Sequence, residues 1–281
     1  MNCECGVSVV APRFDVMARL SYEDYLRHLR SDSARLREVL TTCDPEARVP
    51  GCPDWSAADL LGHHAGVLMF WSTIVEQRPE RSGEDWTEPE LPTAYDELLA
   101  LHAEQDARLG AALAAADPAE AAWTWSAEQT VGFTFRRQAH EALIHRLDAE
   151  QTTGQVTPLD PELAADGVDE ALDIMFGGTP AWGSFAGNGG TVRVDIIDRD
   201  ESVWVETGRF TGTDPDGGTS YDEDDIAKVE PREDEPDVVV SGTAADLDAW
   251  LWRRGDEAAV TVVGDAGVRD HFRGCVNQAI N

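Results

Sequence analysis

RRQAHEALIHRLDAE, residues 136–150, is the stretch on which the reading of this chain turns. Glu141 and His145 stand four positions apart, a spacing that in a helix stacks both side chains on one face. A carboxylate and an imidazole so placed can hold a divalent cation. One further ligand from another helix would leave an open coordination position, which a catalytic metal site needs. Alone the spacing says little: with 54 acids and 7 histidines in 281 residues, about one such pair arises by chance. The density around it says more, because His140 and Asp148 share the segment. Asp148 can orient a ligating imidazole or pair with Arg146 or Arg137. Arg136 can meet a substrate carboxylate or local acids.

Outward from this stretch the pattern is helical. The quoted helix is expected from Phe133 to Thr153, with a stop at Gly154. Residues 21–41 carry an apolar stripe of helical period, with Ser21 as cap and Asp24 at the capping-box position. VPGCPDW (49–55) reads as a Pro/Gly break, after which Ser56 caps an apolar helix over 57–77. His63 and His64 lie in its middle. Consecutive residues point about 100° apart, so only one of them can face the bundle axis. Residues 78–92 read as loop, 93–116 as a third helix, 123–132 as an irregular connection, and 161–176 as a shorter helix opening on Pro161.

Beyond Gly189-Gly190 the period changes to two. TVRVDII, SVWVET, PDVVVSG and AAVTVVG read as strands, 211–225 as a Gly/Asp-rich loop, and TAADLDAWLWRRG and 266–279 as helices. The fold class is therefore α plus α+β, a helical bundle followed by a small α+β domain, with the division near residue 185. Residues 1–17 are expected to form a disordered extension.

Composition limits the partners. A net charge of −32 argues against nucleic acid and anionic membrane surfaces. No apolar run is long enough for a transmembrane helix, and the N-terminus lacks the basic region of a secretory signal, so the expected location is cytoplasmic. Five cysteines without a CxxC pair read as free thiols, Cys3 and Cys5 being capable of adventitious metal binding. Nucleotide-binding glycine motifs, HExxH and a GxSxG elbow are absent from the sequence. His28, His102 and His271 read as structural or surface residues, and the Trp pairs 123/125 and 250/252 as packing.

VPGCPDWSAADLLGHHAG (49–66) resembles the P-x-C-x-x-W-x-x-x-D-L-x-x-H motif of the mycothiol-dependent maleylpyruvate isomerase family, a branch of the DinB-like metal-binding four-helix bundles. HEALIHRLDAE is similar to that family's fourth-helix signature, and SGTAADLDAWLWRRG to part of its C-terminal domain. The resemblance implies a DinB-like bundle over 18–184 and an α+β domain over 185–281. It implies metal ligation by His63, Glu141 and His145, zinc being the default ion, and an arginine from the second domain in the cleft. Arg254 is the nearest match for that arginine and Arg253 its rival; the roles of His64 and His140 stay open.

The resemblance further implies mycothiol or a similar thiol as co-substrate. Its metal-bound thiolate would add to an electrophilic small molecule; in the family's namesake, addition to a cis double bond permits rotation before elimination. Two other readings stand beside it: a thiol S-transferase on the same site, and a non-enzymatic metal-binding regulatory protein with no small-molecule cleft. A monomer or homodimer of actinobacterial type is expected.

Overall fold

The structure, a computed structural model, describes residues 15–16, 19–215 and 217–278. Of the extension expected over 1–17 only Asp15 and Val16 are among them, and Cys3 and Cys5 lie outside. Four long helices come first: α1 (Tyr22–Thr41), α2 (Ala57–Glu76), α3 (Tyr95–Ala115) and α4 (Val131–Thr153). α1 packs against α4 and α3, and α2 against α3 and α4, which closes a bundle. Local chemistry sets the ends. Ser56 and Asp59 form a reciprocal capping box, and Thr130 accepts from the Phe133 N–H. α4 stops at Gly154, whose φ of 70° is the left-handed conformation that glycine adopts at least cost.

α4 is the axis of the molecule. From Val131 to Glu150 every residue is buried except Glu141. A buried charge is tolerated only when paired, and each one here is. Arg136 meets Asp166 and Asp169, Arg137 meets Glu170 and Glu141, Arg146 meets Asp32, Asp148 meets Arg254, and Glu150 meets Arg35. These partners come from both sides of α4, so the pairs tie the bundle to the C-terminal part of the chain.

The expected break between α1 and α2 folds as a small hairpin, β2 (Arg48–Val49) and β3 (Cys52–Ser56). After α4 comes α5 (Pro161–Glu170), capped by Asp160 and extended by a π-helical turn over Ala171–Met175. It packs on α4 and on α6 (Ala244–Leu251).

The C-terminal part is a mixed sheet with α6 and α7 (Ala266–Val276). Its strands are β4 (Gly183–Ile196), β5 (Glu201–Thr213), β6 (Ser220–Val229), β7 (Val238–Gly242) and β8 (Thr261–Gly264), in the order β5-β4-β7-β8. β6 and the short β1 (Asp15–Val16) both pair with β5. Two details depart from the sequence reading. β4 begins at Gly183 and runs past Gly187 to Gly190 with a register shift, where those glycines suggest a break. The loop expected over 211–225 is confined to the connection between Thr213, where β5 ends, and Ser220, where β6 starts. Arg209 of β5 pairs across the strands with Asp222 and Asp224, compensating acids that in isolation look like turn residues. Among the described residues no helix is long and apolar enough to cross a membrane.

Candidate metal centre and its cleft

His63 comes from α2, and Glu141 and His145 from consecutive turns of α4. His63 Nε2 lies 3.3 Å from Glu141 Oε1, and His145 Nε2 lies 3.0 Å from the same oxygen. One ligand atom from each falls within 4.8 Å of the others. Two imidazole nitrogens and one carboxylate oxygen are the donor types of zinc sites that keep an open position, so these residues fit a divalent cation. Access is graded, with side-chain exposures of 35% for His63, 18% for Glu141 and 9% for His145.

The neighbouring histidine goes elsewhere, as the helical angle requires. His64 is fully buried, with Nδ1 2.8 Å from His102 Nε2. Arg37 donates to His102 Nδ1, so that nitrogen accepts, Nε2 carries the proton, and His64 Nδ1 accepts in turn. Burial holds both imidazoles neutral, His64 well below its ordinary value and His102 down at about 3. His102, expected only as a structural or surface residue, is the buried prop of this pair.

His145 is held from behind. Its Nδ1 lies 3.0 Å from Asp148 Oδ2. Burial works against its charged form, but the Glu141 and Asp148 carboxylates outweigh burial and raise its pKa to about 9. Asp148 is itself fully buried, and Arg254 grips both of its oxygens, Nε to Oδ1 and a terminal nitrogen to Oδ2, each at 3.0 Å. Arg254 also donates to the Trp252 carbonyl and to Cys52 Sγ. The hairpin backbone passes close by: a Cβ on Gly51 would stand 2.5 Å from Asp148 Oδ1. An arginine after α6, a carboxylate and an imidazole on α4, and the β2–β3 turn thus form one assembly.

The three candidate ligands open onto a cleft of about 810 Å³, walled by β3, α2, α4 and the segment following α6. Trp55 lies over the imidazoles, its ring 4.7 Å from that of His63. Trp125 and Trp252 line the same space, although their i,i+2 spacing suggests packing alone. Gln138, one turn before Glu141, also lines it; a polar residue at helical spacing from a ligand is the signal for it, and nothing in composition adds to that. Arg136 is buried among Asp166 and Asp169, and His140 is hydrogen-bonded to Asp166. His271 meets the Asp225 carbonyl oxygen, and His28 is buried on α1.

Comparison with known proteins gives consistent results. Residues 26–150 match the family model described as the mycothiol maleylpyruvate isomerase N-terminal domain, and residues 162–271 match the MDMPI C-terminal domain. No curated protein sequence matches the chain. Among solved structures it is similar to the mycothiol-dependent maleylpyruvate isomerase at 18% identity and a TM-score of 0.55, covering 88% of this chain and 95% of that one. A point mutant of that enzyme matches with the same coverage and TM-score at 17% identity. At such identity the structural likeness is one of fold.

Proposed function

Since this chain belongs to the mycothiol maleylpyruvate isomerase family, an enzyme family, we propose that it is a metal-dependent enzyme that adds a low-molecular-weight thiol of the mycothiol kind to an electrophilic small molecule. The observation that carries this reading is the convergence of His63, Glu141 and His145 within 4.8 Å at a cleft large enough for two small ligands. A divalent cation there, zinc by the donor set, would supply the Lewis acidity that keeps a sulfur ligand as thiolate at neutral pH.

The chain's own residues do the rest. Asp148 accepts from His145 Nδ1, which leaves Nε2 facing Glu141 and His63. Arg254 holds Asp148 in that orientation, so we assign Arg254 a positioning role through Asp148. Trp55 packs beside both imidazoles, its ring 4.7 Å from that of His63 and 6.1 Å from that of His145. The regulatory reading requires that there be no small-molecule cleft, and the cleft here favours the enzyme.

The test is metal analysis of purified wild type beside His63→Ala, Glu141→Ala and His145→Ala, followed by calorimetric titration of mycothiol into the metal-loaded protein. Wild type should retain zinc and bind the thiol, and the variants should lose both. Stoichiometric consumption of thiol by an acceptor, instead of its return, would select the transferase form of the same chemistry.

A further inference from the structure

The cleft's charge and its walls do not match a small dianion. Three arginines line it, Arg137, Arg253 and Arg254. Arg137 is taken by Glu170 and Glu141, and its guanidinium lies 5.3 Å from the Trp252 ring centre. Arg254 is taken by Asp148 through two hydrogen bonds. Arg253 is exposed and has no ion-pair partner among the described residues. One free cation neutralises one carboxylate. A second would enter against Glu141, Asp54 and a chain of net charge −32, with no counterion besides the proposed metal ion, whose open position the thiol takes.

What the cleft offers instead is aromatic surface. Trp55, Trp71, Trp125 and Trp252 line it, four of the nine tryptophans in the chain. Trp125 is 47% exposed, so its ring is open to a ligand in the cleft. Gln138 faces the same space. It is 1% exposed, and neither its amide nitrogen nor its oxygen has a hydrogen-bond partner. A buried amide left unpaired on both sides is costly, and a bound polar group would relieve it.

We propose that the cleft takes a planar, mostly apolar electrophile with at most one carboxylate, its ring against the tryptophans and a polar group on the Gln138 amide, in preference to a small dicarboxylate. This rests on the thiol-dependent reading above and names the partner of the thiol.

Two unreactive probes separate the alternatives without any turnover. trans-Cinnamate and maleate each present one carboxylate on a planar conjugated skeleton; the far end is a phenyl ring in one and a second carboxylate in the other. Titrated by calorimetry into zinc-loaded protein without thiol, cinnamate should bind at least about tenfold more tightly than maleate. Trp125→Ala and Gln138→Leu should each weaken cinnamate severalfold with zinc content unchanged. Gln138 is buried and its variant can misfold, but Trp125 is exposed, so Trp125→Ala decides the matter alone. Maleate binding as tightly as cinnamate, or cinnamate binding untouched by Trp125→Ala, overturns the proposal.

A further titration of cinnamate in saturating mycothiol assigns the wall. Retained binding supports the proposal, and displacement gives the tryptophans to the thiol and overturns it. Failure of mycothiol itself to bind, with cinnamate still preferred, would remove the thiol chemistry and leave the cleft's preference standing.

Discussion

Asp148 and Arg254 are 106 positions apart in the chain and meet through two hydrogen bonds of 3.0 Å each. One belongs to the bundle's central helix and the other to the segment after α6, so this pair makes the orientation of His145 depend on the C-terminal part. Arg254→Ala is expected to weaken zinc binding about 10–100-fold, the usual consequence of losing a group that orients a ligating imidazole. Competition against a chromogenic chelator measures it. Arg254→Lys, which cannot grip both oxygens, should fall between wild type and the alanine variant. Undiminished affinity in Arg254→Ala would return Arg254 to a direct role towards substrate.

Gly51→Ala is expected to act in the same direction without replacing a charged group. The new methyl would stand 2.5 Å from Asp148 Oδ1 and 3.0 Å from two Arg254 side-chain atoms, so the pair, whose side chains are the nearest atoms, is expected to shift. The same chelator competition should show weaker zinc binding with helical circular dichroism unchanged. Wild-type affinity would mean that the hairpin yields and the pair does not.

How much of the fold and of the site is legible in the sequence depends on where the determinants sit. Helix ends at Ser56 and Gly154 are readable because capping and left-handed backbone are local chemistry. The Glu141/His145 pair is readable from spacing, and His63 enters through the resemblance of the motif around Trp55 and Asp59. The strand over 220–229 is not readable, since Asp222 and Asp224 are compensated only by Arg209 on the neighbouring strand. Nor is the commitment of Arg254 to Asp148, which depends on α6 meeting α4. The burial of Gln138 without a partner has no local signature at all, because helix periodicity places a residue on a face and says nothing about what that face meets.

Asp166 joins three elements. It accepts from Tyr25 Oη at 2.8 Å and from Arg136 at 3.0 and 3.1 Å, and lies 2.7 Å from His140 Nε2. Asp166→Ala would leave the Arg136 charge buried with Asp169 as its remaining ion-pair partner. Removing one partner of a buried ion pair costs about 3–5 kcal/mol, and denaturant unfolding should register a loss of that size. A loss below about 1 kcal/mol, as for an exposed pair, would contradict the network's role.

Asp248 gives a pH signature. It is 1% exposed, and Glu170, Asp166, Arg137 and Trp252 surround it. Burial, reinforced by Glu170, raises its pKa well above the ordinary value. The folded state then holds this proton more tightly than the unfolded state does. The resulting stability is full below about pH 4, the unfolded value, and is lost as pH rises towards the folded pKa. Asp248→Asn cannot ionise, so its melting temperature should gain on wild type between pH 5 and pH 8. A gap that stays constant over that range would show that Asp248 is not buried as described.

The proposed chemistry stands on three side chains from α2 and α4 sharing one ion. Zinc measured per chain in protein purified without added chelator tests this most directly. Wild type should carry about one zinc per chain, and His63→Ala, Glu141→Ala and His145→Ala should each carry far less while remaining folded. Equal zinc in all four proteins would contradict the assignment and, with it, the chemistry built on it.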